Sequence, residues 1–283
     1  MTGVEGREYR RGSVTLRKQS GAIVCPSCRR LIDVREPRCP HCGRAQPGLF
    51  GYGPTLTRML GTVDLVRILA GACVLLYAIS LALDLKGALS PRSWFGILSP
   101  SSHALRTLGM TGAFAWAQGH YWTLLSAIYL HGGLLHLVFN VMWIRDLGPA
   151  VEDIYGPGRA FLLFTGAGAG GFLVSNLITG APTVGASGAI FGLLAALIVH
   201  GRRAGRSTLS SQVLRWAGIL FVMGFLFPGV NNLAHLGGFA AGWLIALLFK
   251  GGLTHEGPLT TVAAIVAALA SVGAVALSVA GAL

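Results

Sequence analysis

The chain is poor in charge, and poorest in acidic residues. Charged side chains make up 11% of the 283 residues, and Asp and Glu together number only ten, whereas a soluble domain carries about 25% charged residues. Hydrophobic residues make up 53%, and the mean hydropathy is +0.65. This composition argues against an ordinary soluble domain and predicts an integral membrane protein.

The first 60 residues lack an apolar core long enough for a cleavable signal peptide, so none is expected. They carry eleven of the 22 Lys and Arg residues. Basic residues ahead of a first apolar run favour a segment retained in the cytoplasm. Nucleic-acid binding is the less favoured alternative for such a basic stretch, and we expect no nucleic-acid partner.

Cysteine is scarce outside one short segment. Four of the five cysteines lie in "CPSCRRLIDVREPRCPHCG", namely Cys25, Cys28, Cys39 and Cys42, and Cys73 is alone in an apolar run. Two C-x2-C pairs separated by ten residues direct four thiolates at one point, which is typical of a structural zinc site. Two disulfides are the alternative, which a reducing cytoplasm disfavours.

Composition divides the N-terminal part into three predicted segments. Residues 1–20 have scattered charge and few large apolar side chains, which predicts a disordered basic tail. Residues 21–46 form the predicted zinc ribbon, whose folding energy the metal would largely supply. Residues 47–60 contain "PGLFGYGPT" and are predicted to be a linker. The sequence does not identify a partner for the ribbon.

Long apolar runs fill the rest of the chain, and a helix needs about 20 such residues to cross a bilayer. The predicted spans are residues 65–83, 121–144, 159–179, 186–200, 212–228, 232–249 and 259–282. With the basic N-terminus inside, the turns at 145–159 and 200–206 also lie inside and the C-terminus lies outside. The aromatic-rich connection at 84–120 is either an interfacial segment or a plain extracellular loop.

Five polar side chains lie in or at the ends of these spans, where such groups are costly and therefore candidates for function. Span two contains "HGGLLHLVFN", with His131, His136 and Asn140. Span four opens on Ser187 in "GASGAIFG", and span six contains His235 in "NNLAHLGGFAAG". In the predicted topology Ser187 and His235 lie in the outer part of the membrane, and His136 and Asn140 lie somewhat deeper.

Glycine spacing predicts that spans four and six pack closely. A G-x3-G pair follows Ser187, and another follows His235, which lets two helix backbones approach in lipid. The two pairs are Gly188 with Gly192 and Gly238 with Gly242. Close packing of these helices would bring Ser187 and His235 within hydrogen-bond reach.

This set of residues has the parts needed for acyl transfer. Histidine is suited to accept the proton of a serine nucleophile. Unpaired amides at the start of span four, with His136 and Asn140, could bind an oxyanion. No acidic residue lies in the outer half of spans two, four or six, so the predicted pair is a dyad. The residues alone leave two hypotheses open, a hydrolase and a transporter with a polar pathway.

The three quoted motifs, in this order and spacing, resemble the signatures of the rhomboid family of intramembrane serine proteases. The resemblance covers about residues 60–250. It implies an all-α polytopic membrane protein with a six-helix core (residues 61–250), whose short fourth helix places its serine at the floor of a cavity open to the outside. Here the small four-cysteine ribbon precedes that core, and an additional C-terminal transmembrane helix (residues 251–283) follows it.

The resemblance also implies roles for single residues. Ser187 corresponds to the nucleophile and His235 to the base, and His136, Asn140 and the Ser187 amide correspond to the oxyanion hole. Other positions line or support the site: Gly185 beside the hole, Phe191 packed on the catalytic histidine, and His131, for which a structural hydrogen bond is the favoured interpretation. The family often has Trp-Arg in the first loop, where this chain has Trp122 and Thr123, so the usual anchoring of that loop is in doubt.

The function expected from this resemblance is an intramembrane serine endopeptidase. It would cleave transmembrane protein substrates near the outer membrane boundary through an acyl-enzyme, with no cofactor for catalysis. The expected location is the bacterial cytoplasmic membrane. The alternatives are a non-proteolytic rhomboid-like protein that binds client transmembrane helices, and a carrier with a polar histidine pathway.

Overall fold

The computed structural model describes residues 17–25, 30–41, 43, 45–55, 64–89, 98–227, 229–249 and 256–282. The chain divides into two compact units, residues 1–63 and 64–283. The predicted tail at 1–20 lies largely outside the described residues, as do two of the four predicted zinc ligands, Cys28 and Cys42.

The described part of the first unit contains a small antiparallel hairpin and, after it, a 3₁₀ turn at Leu49–Gly51. Strand β1 (Ala22–Val24) pairs with β2 (Leu31–Asp33), with Ile23 opposite Ile32. These two isoleucines are buried, and their strand neighbours Val24 and Leu31 are exposed, because successive side chains of a strand face opposite sides. Hydrogen bonds from the side chain and backbone of Arg35 to Asp33 lower the pKa of that carboxyl.

The second unit is helical, and a 3₁₀ turn at Ala127–Tyr129 follows the short helix Thr123–Ser126. The helices are α1 (Leu65–Ala82), α2 (Leu85–Leu89), α3 (Ser102–Thr107), α4 (Ala113–Trp116), α5 (Thr123–Ser126), α6 (Leu134–Tyr155), α7 (Pro157–Ile178), α8 (Ser187–Arg203), α9 (Ser207–Met223), α10 (Asn232–Leu248) and α11 (Pro258–Ala282).

Within the described ranges, α1, α7 and α11 are each long and apolar enough to cross a membrane, and α5 with α6 would form a fourth, bent span. Helices α8, α9 and α10 have 17 residues each. At 1.5 Å per residue they are about 26 Å long, close to the ~30 Å hydrocarbon core. The chain is thus an all-α polytopic membrane protein.

The second predicted span is wrong in its limits. Residues 123–129 and 134–155 are helical segments that meet at 92°, because the backbone at Gly133 is extended. Helix α6 then continues to Tyr155 through the stretch predicted as a turn. Ile144, Val151 and Tyr155 recur at helical spacing and are buried, whereas Asp146 is exposed, so the helix presents its charges outward.

This correction moves two candidate residues. His131 lies in the bend rather than in a span, and His136 lies in the first turn of α6. His136 and Asn140 therefore lie in the first two turns of their helix and not deeper along the span.

Helices α7, α8 and α10 form the tightly packed centre of the unit. A Cβ at Gly238 would overlap the carbonyl oxygen of Gly188, and one at Gly242 would overlap the Cα of Gly192. At the opposite end of this pair, the Arg203 guanidinium donates to carbonyl oxygens of the last turn of α10. The acceptors are Ala246 at 3.0 Å, Leu247 at 2.8 Å and Phe249 at 2.8 Å. Both ends of α8 are thereby fixed against α10.

Helix α11 packs on α7 and on the segment before α6. The Trp122 indole donates a hydrogen bond of 3.0 Å to Ser278 Oγ. Thr123 Oγ1 donates to the His120 carbonyl at 2.7 Å and lies 3.2 Å from Thr111 Oγ1. These bonds anchor residues 120–123 in a chain that has threonine where the family often has arginine.

Candidate active site

The centre of the candidate site is a hydrogen bond between two helices. Ser187 is the first residue of α8, and His235 lies in the first turn of α10. His235 Nε2 is 2.8 Å from Ser187 Oγ. The close approach of the glycine pairs sets this distance, because larger residues would force the two backbones apart.

The His235 ring is held on its other sides as well. The Phe191 ring stacks on it, with centroids 4.4 Å apart and an 18° angle between the planes. Its Nδ1 lies 3.1 Å from Asn232 Oδ1. The side chain is 6% exposed, so these contacts define both the plane and the direction of the imidazole.

Asn232 is a contact that the sequence analysis missed. It precedes His235 by three residues in "NNLAH", a spacing that puts both side chains on one face of a helix. This spacing is the local signal for the contact, and a neutral amide carries no charge that would single it out in an apolar sequence.

Gly185 shapes the backbone two residues before Ser187. Gly185 has φ +130°, a conformation that side-chain-bearing residues rarely adopt. A Cβ there would lie 2.7 Å from both Cε1 and Nε2 of His136. Its amide donates to the Ala127 carbonyl at 2.9 Å. Glycine at this position therefore leaves the space that the His136 ring occupies.

His136 and Asn140 lie one turn apart on α6, where Asn140 is buried and His136 is partly buried beside Gly185. The Gly132 amide lies 3.5 Å from His136 Nδ1, an arrangement in which Nδ1 accepts and Nε2 keeps the proton. Asn140 Nδ2 donates to the His136 carbonyl at 2.8 Å, which engages one of its two amide hydrogens. Each side chain thus retains an N–H donor.

His131 lies behind the site. Its ring is fully buried, its centroid is 5.0 Å from that of His136, and its Nδ1 is 3.2 Å from the Tyr129 carbonyl oxygen. Its Nε2 is buried with no hydrogen-bond partner in the described part of the chain. The contact of Nδ1 with the Tyr129 carbonyl is a hydrogen bond within the fold, and the role of His131 stays a prediction.

The start of α8 adds backbone donors. The first amides of an α-helix have no intrahelical acceptor, and the helix dipole favours negative charge there. The first bond of α8 runs from the Ile190 amide to the Ala186 carbonyl, 2.9 Å. The amides of Ser187 and Gly188 precede it in the first turn of α8.

The predicted zinc site is only partly described. Cys25 and Cys39 are buried in the hairpin unit. The Cys25 amide donates to the Arg30 carbonyl at 2.9 Å, which continues the pairing of β1 with β2, and the Gly43 amide donates to the Cys39 carbonyl at 2.8 Å. Among the described residues, no group of three or more His, Cys, Asp or Glu side chains could hold a metal ion. The zinc site stays a prediction.

A polytopic helical protein with a serine and a histidine hydrogen-bonded between two short helices has the architecture expected of an intramembrane hydrolase. The Rhomboid domain model matches residues 118–251. The chain is 38% identical over 133 residues to the rhomboid protease GluP of Bacillus subtilis, covering 46% of this chain and 26% of GluP.

Other relatives show similar agreement. The putative rhomboid protease YdcA of B. subtilis is 33% identical over 142 residues, which is 47% of this chain and 69% of YdcA. RHOMBOID-like protein 5 of Arabidopsis thaliana is 36% identical over 171 residues, covering 54% and 52%. The chain belongs to the rhomboid family, whose members are generally intramembrane serine proteases. Its matched region spans only about a quarter of GluP and half of RHOMBOID-like protein 5.

Proposed function

We propose that the protein is an intramembrane serine endopeptidase that uses Ser187 as nucleophile and His235 as general base. The single observation that carries this proposal is the 2.8 Å contact between Ser187 Oγ and His235 Nε2. A neutral imidazole at this distance takes the serine proton as the oxygen attacks.

In the first half of the reaction, Ser187 Oγ bonds to the scissile carbonyl carbon and its proton passes to His235 Nε2. The carbonyl π electrons move to the oxygen, which becomes an oxyanion. The Ser187 amide and the N–H donors of His136 and Asn140 bind that charge. Collapse breaks the C–N bond, and the leaving amine takes the proton from His235, which leaves an acyl-enzyme.

In the second half, water replaces the amine. His235 Nε2 accepts a proton from water as its oxygen attacks the ester carbon. The second tetrahedral intermediate then expels Ser187 Oγ, which recovers the proton from His235. The net change is hydrolysis of one peptide bond, and no cofactor takes part.

We propose transmembrane segments as substrates and the outer membrane boundary as the place of cleavage. The basic N-terminal part favours a cytoplasmic N-terminus. In that topology α8 and α10 both begin on the outer side, which places Ser187 and His235 there. The 17 residues of α8 make a helix slightly shorter than the hydrocarbon core, which favours access of water to its first residue.

We further propose that the N-terminal unit binds one structural zinc ion through Cys25, Cys28, Cys39 and Cys42. Four thiolates close the coordination shell, so the ion would stabilise the fold of this unit and perform no chemistry. The cytoplasmic face of a bacterial cytoplasmic membrane would keep these thiols reduced.

The test uses purified protein in lipid vesicles with a single-span reporter substrate and a fluorophosphonate probe. The Ser187→Ala variant should lose both cleavage and labelling, and His235→Ala should lose labelling. Ser211→Ala is the matched control, because Ser211 is an exposed serine of α9 whose hydroxyl donates to the Ser207 carbonyl of the same helix. Cleavage retained by folded Ser187→Ala would refute the assignment, and unlabelled wild type would favour a client-binding or carrier function.

A further inference from the structure

The two ring nitrogens of His235 face different partners. Nε2 faces the Ser187 hydroxyl, and Nδ1 faces Asn232 Oδ1 at 3.1 Å. We propose that Asn232 is a positioning residue that selects the tautomer of His235 needed for general-base catalysis. This inference rests on the proposed function of Ser187 and His235 and adds a third member to the predicted dyad.

The tautomer follows from the donor and acceptor inventory of the two side chains. A neutral imidazole carries one N–H, and an amide oxygen only accepts hydrogen bonds. With Oδ1 facing Nδ1, the proton stays on Nδ1 and the lone pair of Nε2 points at the Ser187 hydroxyl. The opposite tautomer would present an N–H to the serine and could not accept its proton.

The same contact continues to act after proton transfer. The imidazolium carries N–H groups at both nitrogens, and Asn232 Oδ1 accepts from one while the leaving amine approaches the other. A neutral amide achieves this without placing a second charged group inside the membrane, where an ionised side chain is costly.

The surroundings of Asn232 keep its amide in place. Asn232 is the first residue of α10, three positions before His235. Gly224 follows the end of α9, and a Cβ there would overlap Asn232 Oδ1. Glycine at 224 therefore leaves room for the amide oxygen to lie against the end of α9 and reach Nδ1.

The adjacent Asn231 has a different set of contacts and supplies the control. Its Nδ2 donates to Ser175 Oγ at 2.6 Å and to Thr183 Oγ1 at 2.8 Å. Its Oδ1 accepts from the Ala234 amide at 3.2 Å. Asn231 thus caps α10 and ties it to α7, and its side chain does not contact the His235 ring nitrogens.

The experiment compares wild type with Asn232→Leu, Asn232→Asp and Asn231→Leu in lipid vesicles. The first readout is the ¹⁵N spectrum of His235 in histidine-labelled protein, assigned with His235→Ala and recorded where the imidazole is neutral. This spectrum reports which ring nitrogen carries the proton. The second readout is the fluorophosphonate labelling rate of Ser187 over a series of probe concentrations, which separates the maximal rate from probe binding.

We expect Asn232→Leu to shift the proton toward Nε2 and to lower the maximal labelling rate about tenfold, the effect of losing one hydrogen bond. Asn232→Asp keeps a hydrogen-bond acceptor at this position and should therefore retain both the wild-type tautomer of His235 and the wild-type labelling rate. Asn231→Leu should lower thermal stability without changing the tautomer.

Two results would overturn the inference: an unchanged tautomer in Asn232→Leu, or the same tautomer change in Asn231→Leu. If wild-type protein is not labelled at all, the proposed protease function fails, and the spectra still decide whether Asn232 sets the tautomer.

Discussion

The glycine contact between α8 and α10 gives the sharpest prediction, because it links packing directly to the reacting atoms. A Cβ at Gly238 would overlap the Gly188 carbonyl oxygen and lie 2.8 Å from the Gly188 Cα. Both obstacles are backbone atoms, which cannot rotate away as a flexible side chain would. The Gly238→Ala variant must therefore move one helix relative to the other.

The size of this movement follows from ordinary contact distances. Carbon atoms pack at about 3.5 Å or more, so the 2.8 Å approach to the Gly188 Cα alone requires the backbones to separate by roughly 0.7 Å. The overlap with the Gly188 carbonyl oxygen requires a somewhat larger separation of about 1 Å. Gly238 is one turn from His235 and Gly188 is next to Ser187, so most of that shift reaches the site. The 2.8 Å contact between Ser187 and His235 would open to about 3.5 Å or more, the outer limit of a hydrogen bond.

We expect Gly238→Ala to lower the free energy of unfolding by about 1–3 kcal/mol, as overpacking does. We also expect it to reduce fluorophosphonate labelling of Ser187 by about 100-fold, since a misplacement near 1 Å has an effect of this size. Unfolding is followed by tryptophan fluorescence in mixed micelles, and labelling is measured on the same samples.

Gly218→Ala is the matched control, because among the described residues no heavy atom beyond the neighbouring backbone of α9 itself lies within 4 Å of a Cβ at Gly218. It introduces the same methyl group into a helix and should leave labelling unchanged. Wild-type labelling in folded Gly238→Ala would show that the glycine contact does not set the geometry of the Ser187–His235 pair, and the reasoning would be wrong.

Two other predictions concern regions away from the reacting atoms. Ser278→Ala removes the acceptor of the Trp122 indole N–H. This variant should lower the free energy of unfolding by about 1–3 kcal/mol, measured in the same fluorescence assay. An unchanged free energy of unfolding would mean that α11 does not anchor this segment through Trp122. Metal analysis of purified protein should find one zinc ion per chain, and Cys25→Ser should release it, whereas wild-type protein without zinc would remove the ribbon hypothesis.

The chemistry-bearing residues of the site could be chosen from the sequence because polar groups are rare in its apolar part. With 11% charged residues in all, the serine and histidines of the spans are conspicuous, and the glycine spacing after Ser187 and His235 indicates which helices approach. The membrane class and the rhomboid family followed from composition and motifs for the same reason.

The limits of the second span could not be obtained in this way. Hydropathy alone placed a helix at residues 121–144, but the Gly132–Gly133 sequence turns the chain by 92° before α6 begins. The polar stretch up to Tyr155 remains helical because its apolar residues face the core. The Tyr155 hydroxyl also donates to the Ala196 carbonyl at 2.9 Å. Such a contact joins residues 41 positions apart, which no local pattern records.

The sequence by itself determined the class of protein, the candidate nucleophile and base, and the helices that carry them, because these depend on residue type and local spacing. Only the tertiary structure decided the orientation of the His235 ring between Ser187, Phe191 and Asn232, and the placement of His136 against Gly185. Those relations join separate helices, and the direction of a side chain across a helix interface is fixed by packing rather than by spacing along the chain.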